Sequence, residues 1–336
     1  MLLSTMVSFE YYLSIKPIDN FLFQRKNVKI LYFNDYRLGI LKGDQVVDVT
    51  QVVQGIPHVG PGDLINSLIE HFEDFRARIA DHVAKNSGIP YAGLHIRAPL
   101  PKPTNIDCMA VNYMEDGTKK EPAAINAFHK SSTCVIGPGE TMVLPDMAAT
   151  VFEGEAELAL VIGKHASNVS AANAMKHVFG YVNFIDGSAR GVKPDTNVFY
   201  QMKSRATFAP IGPYIVTADE IKDPQELKVQ LWVNGILKQN FNTNDMAHKI
   251  PRCIEWVSAI HDLVPGDILA TGTNHRGLNA FQDGDKVELE VEGCGRLAIN
   301  VRDDLKRTWV RETRLEREQM GLPVIATQLT GKYAPN

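Results

Sequence analysis

The sequence contains few cysteines, and none of them lie close together. The four cysteines of the 336-residue chain are widely spaced and form no CxxC pair: Cys108, Cys134, Cys253 and Cys294. A zinc-binding framework needs paired ligands, and a disulfide-stapled domain needs a denser cysteine pattern. We therefore expect reduced structural thiols and a cytoplasmic location.

The chain also lacks long apolar runs and an excess of either charge. No run approaches the roughly 20 apolar residues of a membrane-spanning helix, so no membrane span is expected. Lys and Arg total 35 against 39 Asp and Glu, which gives a formal net charge of −4. This balance gives no electrostatic reason to expect a nucleic acid or an anionic membrane surface as a partner.

Apolar runs and turn residues divide the chain into four parts. Residues 1–27 are predicted to be an extension, because charged residues interrupt an apolar opening that lacks the order of a secretory signal. Residues 28–100 are predicted to form a small domain with a three-stranded meander and two helices. A stiff Pro99-x-Pro101-x-Pro103 linker follows. Residues 101–304 contain mostly short strands, and 305–336 form a charged tail with one short helix. The pattern predicts a mixed, β-rich α+β fold of the sandwich or roll type.

Three alternating glutamates precede an apolar strand. Glu153, Glu155 and Glu157 run directly into residues 158–162 (Leu-Ala-Leu-Val-Ile), which are typical of a buried strand. In an extended segment, side chains at i, i+2 and i+4 leave the same face. Three carboxylates on one face repel each other unless protons or a hard divalent cation neutralise them. The alternative is an edge strand whose acidic face is solvated.

A second strand-like segment carries another carboxylate. Residues 181–185 are predicted to form a strand that ends on Asp186, and Arg190 follows four residues later. Asp186 could be a third metal ligand, and Arg190 could bind an anionic substrate. The alternative is a turn-capping aspartate with an arginine in solvent.

Several blocks occur in a fixed order, and their set is more distinctive than any one of them. Together they resemble the fumarylacetoacetate hydrolase family over residues 28–301. The blocks are Arg37-Leu38-Gly39, Gly43-Asp44-Gln45, Glu155-Ala156-Glu157-Leu158, Asp186 with Ser188-Ala189-Arg190, Lys203-Ser204, Pro210-Ile211-Gly212-Pro213, Val233-Asn234-Gly235, Asn242-Thr243-Asn244-Asp245-Met246, Pro265-Gly266-Asp267 and Thr271-Gly272-Thr273.

The resemblance implies a fold, a cofactor and a set of site residues. The fold is a β-sandwich roll behind a small N-terminal α/β domain, assembled as a homodimer. The cofactor is Mg²⁺ or Mn²⁺, with Ca²⁺ as a further option. The implied residues, by role, are Glu155, Glu157 and Asp186 as metal ligands, Lys203 as the catalytic lysine, and Arg190, Thr273 and Tyr113 as contacts to the substrate.

The resemblance also implies the class of reaction. Substrates of the family are usually 2-keto acids such as acylpyruvates, and a metal ion stabilises the enolate that forms when a C–C bond breaks. We therefore expect a metal-dependent hydrolase that cleaves a C–C bond in an acylpyruvate-like or 2,4-diketo acid. The alternative is a decarboxylase or a tautomerase or isomerase of a 2-keto acid on the same scaffold.

One segment departs from the family pattern. Hydrolytic members typically activate water with a His–Glu dyad on a lid of the form Asn-Tyr-x-x-His-x-x-Glu. Here Asp116 occupies the histidine position, and Lys119 occupies the glutamate position. Glu115 or Asp116 could be the base instead. His129 could also move in as the base, although it could equally be an ordinary polar strand residue. As a third option, the reaction needs no activated water.

Three further basic residues lie near the implied site. Lys193, His275 and Arg276 could bind a second carboxylate of a larger or dianionic substrate. Equally, they could be solvated charges on loops.

Overall fold

The structure is a computed structural model that describes residues 28–194 and 199–335. The predicted extension over residues 1–27 lies outside the described residues. The strands are β1 (Lys29–Phe33), β2 (Arg37–Lys42), β3 (Gln45–Asp48), β4 (Ile89–Pro90), β5 (Ile96–Arg97), β6 (Ile106–Met109), β7 (Ala127–His129), β8 (Val135–Ile136), β9 (Thr141–Val143), β10 (Val151–Ile162), β11 (Val178–Arg190), β12 (Ala209–Thr217), β13 (Lys228–Val233), β14 (Ile236–Asn242), β15 (Ile268–Ala270), β16 (Lys286–Val291) and β17 (Arg296–Arg302). The α-helices are α1 (Pro61–Glu70), α2 (Phe72–Lys85), α3 (Ala171–Ala174), α4 (Phe199–Lys203), α5 (Ile250–Ser258) and α6 (Arg314–Gln319).

The strands form two sheets that pack against each other. The larger sheet has the order β4-β3-β2-β1-β12-β11-β10-β15-β6-β7, with β5 paired to β1 and β8 paired to β12. The smaller sheet has the order β14-β13-β16-β17-β9. Its strands β13, β16 and β17 pack on β10, β11 and β12. This sandwich, with few helices, confirms the predicted mixed β-rich fold class.

The central strand β10 carries different chemistry on its two faces. Leu160 belongs to the core between the two sheets, whereas Val161 belongs to the core that α1 and α2 cover. Because side chains alternate along a strand, the glutamates at 153, 155 and 157 leave the same face as Val161. The acidic row therefore continues the face that the N-terminal helices cover further along the strand.

Strand β11 is longer than the sequence pattern predicts. Its ladder with β10 extends to Arg190, which pairs with Val151. The strand therefore continues past Asp186, where we predicted its end. That prediction is wrong. The reason is that the hydrogen-bond ladder with β10 keeps the segment extended, while buried lysines compensate the carboxylate of Asp186.

The N-terminal strands join the sheet that carries the acidic row. Strand β1 hydrogen-bonds to β12, with Lys29 opposite Val216. The meander and the two helices of this region match the sequence-based expectation, and the domain boundary near residue 100 stays a prediction. No helix among residues 28–194 and 199–335 combines the length and the apolar character needed to cross a bilayer.

The sequence analysis missed strand β14. It is an edge strand whose side chains are mostly exposed or half-buried, so it lacks a clear apolar run. The preceding Asn234-Gly235 pair, with φ of 53° and 78°, is the signal that could have found it. An Asn-Gly turn of this kind is a strong indicator of a tight β-hairpin.

Candidate metal centre and active site

Two carboxylates face each other across the central ladder. Glu155 of β10 is the register partner of Asp186 of β11, so both side chains leave the same face of the sheet. Glu157 lies two residues further along β10 on that face. One carboxylate oxygen from each of the three lies within 4.8 Å of the others, and all three residues are buried. The structure thus brings the three predicted metal ligands together in one cluster.

Two buried lysines neutralise part of this cluster. Nζ of Lys203 donates to Oε1 of Glu155 at 2.7 Å and to Oδ2 of Asp186 at 2.6 Å. Nζ of Lys130 donates to Oδ1 of Asp186 at 2.5 Å and to the carbonyl of Gly187 at 3.2 Å. Burial by itself lowers the pKa of Lys203, but Asp186 and Glu155 outweigh that effect and raise it. Lys203 is therefore a cation at neutral pH.

Strand β7 and helix α4 hold Lys203 over the cluster. Phe128 of β7 stacks on Phe199 of α4, with ring centroids 4.8 Å apart. The ammonium of Lys203 lies 5.2 Å from the centroid of the Phe128 ring. Lys130 also donates to the backbone carbonyl of Lys203. These contacts order the last turn of α4, so the lysine has one position relative to the carboxylates.

The third carboxylate has no cationic partner among the described residues. Oε2 of Glu157 accepts from the N–H of Gly272 at 2.7 Å, while Oε1 is buried and has no hydrogen-bond partner. Burial, followed by the nearby Asp186 and Glu155, raises the pKa of Glu157 well above its usual range. An unpartnered carboxylate oxygen beside two further carboxylates is the oxygen donor set that Mg²⁺ and Mn²⁺ prefer. The residues present therefore fit a divalent metal ion held by Glu155, Glu157 and Asp186.

The first residue of the acidic row pairs with arginines. Glu153 accepts from Nε of Arg190 at 3.0 Å and from the guanidinium of Arg314 at 2.5 Å. Arg190 also donates to Glu155. Burial by itself raises the pKa of Glu153, but Arg190 and Arg314 hold it below its usual range. The guanidinium of Arg190, which we predicted to bind the substrate, is thus committed to two carboxylates of the row.

The Thr-Gly-Thr loop fixes the other side of the cluster. The hydroxyl of Thr273 donates to the carbonyl of Ala156 at 2.8 Å, between Glu155 and Glu157. Gly272 has a φ of 87°, and a Cβ there would lie 3.0 Å from the side chain of Asn112. Tyr113 is fully buried, and its pKa is raised well above the usual range, first by burial and then by Glu157. Thr273 and Tyr113, both predicted to contact the substrate, thus form buried walls of the cluster.

A glutamate on the lid meets a histidine from the loop after β15. Oε1 of Glu115 lies 2.6 Å from Nδ1 of His275, and Oε2 accepts from the backbone N–H of His275 at 2.8 Å. Lys119 adds an ion pair to Glu115 at 3.3 Å. Burial by itself raises the pKa of Glu115, but His275 and Lys119 outweigh burial and lower it. Glu115 is therefore ionised, and Nδ1 of His275 must carry the proton that the carboxylate accepts.

The next lid residue is more exposed. Asp116 accepts from the side-chain amide of Asn274 at 3.1 Å, and its backbone N–H donates to Asp245 at 3.0 Å. Its side chain is 56% exposed, against 8% for Glu115. Of the two lid carboxylates that we predicted as bases, only Glu115 is buried against a histidine.

Comparison with known proteins identifies the family. A family model described as Fumarylacetoacetate (FAA) hydrolase C-terminal matches residues 106–302, more than half of the chain. The chain belongs to the fumarylacetoacetate hydrolase family. The predicted resemblance is thereby confirmed.

Its relatives within the family include enzymes of different names. Maleylpyruvate hydrolase of Aquipseudomonas alcaligenes is 32% identical over 291 residues, which cover 82% of this chain and 99% of the relative. The mitochondrial oxaloacetate tautomerase FAHD2B of Bos taurus is 35% identical over 219 residues, 62% of this chain and 69% of the relative. A crystal structure of maleylpyruvate hydrolase from Sphingobium sp. SYK-6, in complex with manganese(II) and pyruvate, is 33% identical with a TM-score of 0.74. It covers 82% of this chain and 99% of its own.

Two predicted residues of the family site lie outside the carboxylate cluster. His129 is cross-strand neighbour to Asp107, and its Nδ1 lies 3.2 Å from Oδ1 of that residue. Lys130, the residue after His129, contacts Asp186 in the carboxylate cluster, because successive residues of an extended segment leave opposite faces. Lys193 lies on the exposed segment after β11, just before residues outside the description.

Three residues that contact the acidic row, Asp186 or the lid were missed or given other roles by the sequence analysis. Lys130 directly follows His129, and the sequence analysis considered only the histidine of that segment. For His275 the sequence analysis left open a carboxylate of the substrate or a solvated loop position, and it did not foresee the contact with Glu115. Arg314 lies in the predicted tail, and no local signal connects it with Glu153, 161 positions away. Each contact joins segments far apart in sequence, which patterns of short range do not detect.

Proposed function

We propose that this protein is a divalent-metal-dependent hydrolase that cleaves the C–C bond of an acylpyruvate-type 2,4-diketo acid. Two relatives named maleylpyruvate hydrolase match 82% of the chain, and one of them was solved with manganese(II) and pyruvate. These names support an acylpyruvate as substrate and Mn²⁺ or Mg²⁺ as the metal.

The observation that carries this proposal is the pair formed by Glu115 and His275. Nδ1 of His275 donates to the ionised Glu115, which leaves the lone pair of Nε2 available for a proton. The pKa of Glu155 lies well below its usual range: burial by itself raises it, but Lys203, Arg190 and His275 lower it more. His275 therefore lies close to this carboxylate. The pair therefore supplies, from a different loop, the base that Asp116 and Lys119 do not provide at the usual lid positions.

The reaction can be written with these residues in defined roles. Nε2 of His275 takes a proton from water, and the water oxygen bonds to the acyl carbonyl carbon of the substrate. The C–C bond to the neighbouring CH₂ group breaks, and its electron pair stays on that carbon, which takes the proton from Nε2 and becomes the methyl group of pyruvate. The products are a carboxylic acid and pyruvate. The ammonium of Lys203 stabilises the negative charge that develops on the pyruvate oxygens.

Glu155, Glu157 and Asp186 would hold a divalent cation, which would supply Lewis-acid stabilisation of negative charge on the substrate. Glu115 keeps His275 in the correct tautomer and stabilises the imidazolium that forms. The buried walls formed by Tyr113 and Thr273 exclude water from the cluster on their side.

A cavity beside the pair supports a substrate with a second acidic group. The cavity has a volume of about 400 Å³ and borders Glu115, His275, Arg276, Arg314 and Lys119. The basic residues Lys119, Arg276 and Arg314 outnumber the two acidic residues of the lining, Glu115 and Glu318, so the cavity favours an anionic end of the substrate. This arrangement supports the option that Arg276 lies near a distal carboxylate, while His275 serves as the base.

The second candidate function is tautomerisation, isomerisation or decarboxylation of a 2-keto acid. It is favoured by the departures at 116 and 119 and by relatives named oxaloacetate tautomerase. This chemistry needs the carboxylate cluster and Lys203 but no activated water. The two functions therefore differ in their dependence on Glu115 and His275.

The test compares substrates and variants. Purified protein with Mg²⁺ or Mn²⁺ is offered maleylpyruvate, simpler acylpyruvates and oxaloacetate, and the products are analysed by chromatography. Release of pyruvate plus a second acid is the expected result. Glu115→Gln and His275→Gln are expected to slow hydrolysis by about 10²–10⁴-fold, the usual contribution of a general base.

The matched control is Glu121→Gln, which removes an exposed carboxylate from the same lid and should keep the parent rate. Enol–keto equilibration or release of CO₂ without formation of a second acid would support the second function. Hydrolysis at the parent rate in both pair variants would contradict the assigned base.

A further inference from the structure

A second cluster of metal-ligating side chains lies on the opposite face of the large sheet. Asp107 of β6 is the register partner of His129 of β7, and His261 comes from the turn after α5. One potential ligand atom from each residue lies within 4.8 Å of the others. Cys108, the next residue of β6, belongs to the same core as Val161, on the face that carries the acidic row. Asp107 therefore leaves the opposite face, and the sheet separates the two clusters.

The carboxylate of this cluster is only partly satisfied. Oδ1 of Asp107 lies 3.1 Å from Nε2 of His261 and 3.2 Å from Nδ1 of His129. Oδ2 is buried and has no hydrogen-bond partner, and the residue as a whole is 3% exposed. Asp267, also buried, lies close enough to add unfavourable negative charge. A buried carboxylate oxygen without a partner is costly unless a cation or a proton compensates it.

The tautomer of His261 points to the same conclusion. Its Nδ1 lies 2.9 Å from the backbone carbonyl of Asp262, and a carbonyl can only accept, so Nδ1 carries a proton. Without a cation, Nε2 must carry a proton to bond Oδ1 of Asp107, and although burial by itself lowers the pKa of His261, that carboxylate raises it. A metal ion between the two groups would take the place of this proton, with Nε2 as its ligand. A histidine whose other nitrogen donates to a backbone carbonyl is the usual arrangement of a metal ligand.

The cluster is accessible and has room for an ion. It borders a cavity of about 160 Å³ that is otherwise lined by apolar side chains such as Trp256 and Ile260. The side chain of His129 is 61% exposed, and that of His261 is 27% exposed. A ligand set with one half-buried histidine, one exposed histidine and one buried carboxylate leaves open positions on the solvent side.

We propose that Asp107, His129 and His261 form a binding site for a transition-metal ion of the Zn²⁺ class, separate from the carboxylate cluster. Two imidazoles and one carboxylate are a donor set that suits Zn²⁺, whereas Mg²⁺ favours oxygen ligands alone. The ion compensates the charge of Asp107 and links β6, β7 and the turn after α5. Lys130 follows His129 directly and contacts Asp186, so the proposed site lies one residue along the chain from a contact to the carboxylate cluster.

The experiment is a Zn²⁺ titration of the full chain against a competing chelator, with Mg²⁺ in millimolar excess to occupy the oxygen-only cluster. The parent is expected to bind one Zn²⁺ that His261→Ala and His129→Ala each weaken by more than about tenfold, as removal of even outer-shell partners costs 10–100-fold. His129→Ala changes an exposed side chain and so keeps the test valid if His261→Ala misfolds. Circular dichroism without Zn²⁺ checks the fold of every variant.

Two controls separate this site from its neighbours. His165→Ala removes an exposed histidine that pairs with Asp262 at 2.8 Å, next to the cluster, and should leave Zn²⁺ affinity unchanged. Glu157→Gln alters the carboxylate cluster and should also leave it unchanged. Parent-like Zn²⁺ affinity in both folded histidine variants, or its loss in Glu157→Gln, would overturn the proposal. Anomalous diffraction at the zinc edge should show the ion between Asp107 and His261.

Discussion

Arg314 donates to Oε2 of Glu153 at 2.5 Å, and this contact ties the C-terminal segment to the first residue of the acidic row. The two residues are 161 positions apart, and both are largely buried. Sequence analysis predicted a charged tail with one short helix but not what it contacts. The structure packs Arg314 against the acidic row of its own chain. Homodimeric assembly and a cytoplasmic location remain predictions.

We predict that Arg314→Met destabilises the protein by about 1–3 kcal/mol, because it leaves a buried carboxylate with one arginine partner fewer. Urea denaturation of Arg314→Met, Glu153→Gln and the double variant completes a thermodynamic cycle. The coupling energy should be about 0.5–3 kcal/mol, as for residues in direct contact. Additive effects of the two changes would show that the ion pair contributes nothing to stability.

Lys203 should affect catalysis and metal affinity in opposite directions. Lys203→Met removes a positive charge that lies within 2.7 Å of Glu155 and Asp186, two of the proposed ligands, so a divalent cation should bind more tightly. The same change removes stabilisation of the developing enolate, so kcat should fall by about 10²–10³-fold, as for loss of a preorganised donor. Metal titration and initial rates at saturating metal measure the two effects separately.

The control for this prediction is Lys176→Met, an exposed lysine that contacts Asn173. It should change neither quantity. A variant Lys203→Met with weaker metal binding would show that the lysine supports the ligands rather than opposing the ion.

Metal binding should stabilise the fold through Glu157. Its Oε1 is buried without a partner, so the metal-free state carries an unfavourable charge or proton that a bound cation removes. Saturation at 100 times the dissociation constant should add about 2.7 kcal/mol to the free energy of unfolding. Thermal denaturation with EDTA and with Mn²⁺ measures this effect.

Glu157→Gln should abolish most of that gain, whereas Glu70→Gln, an exposed change at the end of α1, should retain it. An equal gain in both variants would place the stabilising ion elsewhere in the protein.

Local patterns predicted much of the fold but little of the pairing. The apolar run at 158–162 and the i, i+2 spacing of the glutamates depend on neighbouring residues, so the buried strand and its acidic face could be predicted. The register that sets Glu155 opposite Asp186 depends on the whole ladder between β10 and β11. Contacts such as Glu115 with His275 close loops of 160 residues, and nothing in either segment specifies the other.

Two glycines in the central strands are required by close packing. A Cβ at Gly180 would lie 2.2 Å from the backbone carbonyl oxygen of Val216, and a Cβ at Gly154 would lie 2.4 Å from the ring of Phe281. Neither distance is tolerated without movement. The backbone of β12 cannot shift without breaking its ladder with β11, whereas the Phe281 ring is a side chain that can adjust.

We therefore predict that Gly180→Ala destabilises the protein more than Gly154→Ala does, with overpacking costs of about 1–3 kcal/mol as the reference range. Gly55→Ala is the matched control, since a Cβ there meets no atom within 4 Å. Urea midpoints at constant m-value give the comparison. Because Gly154 lies between Glu153 and Glu155, its alanine variant should also weaken Mn²⁺ binding, while Gly180→Ala, further along β11, should leave metal affinity nearer to that of the parent. The reverse order of the urea midpoints would mean that the strand backbone yields more readily than the aromatic ring.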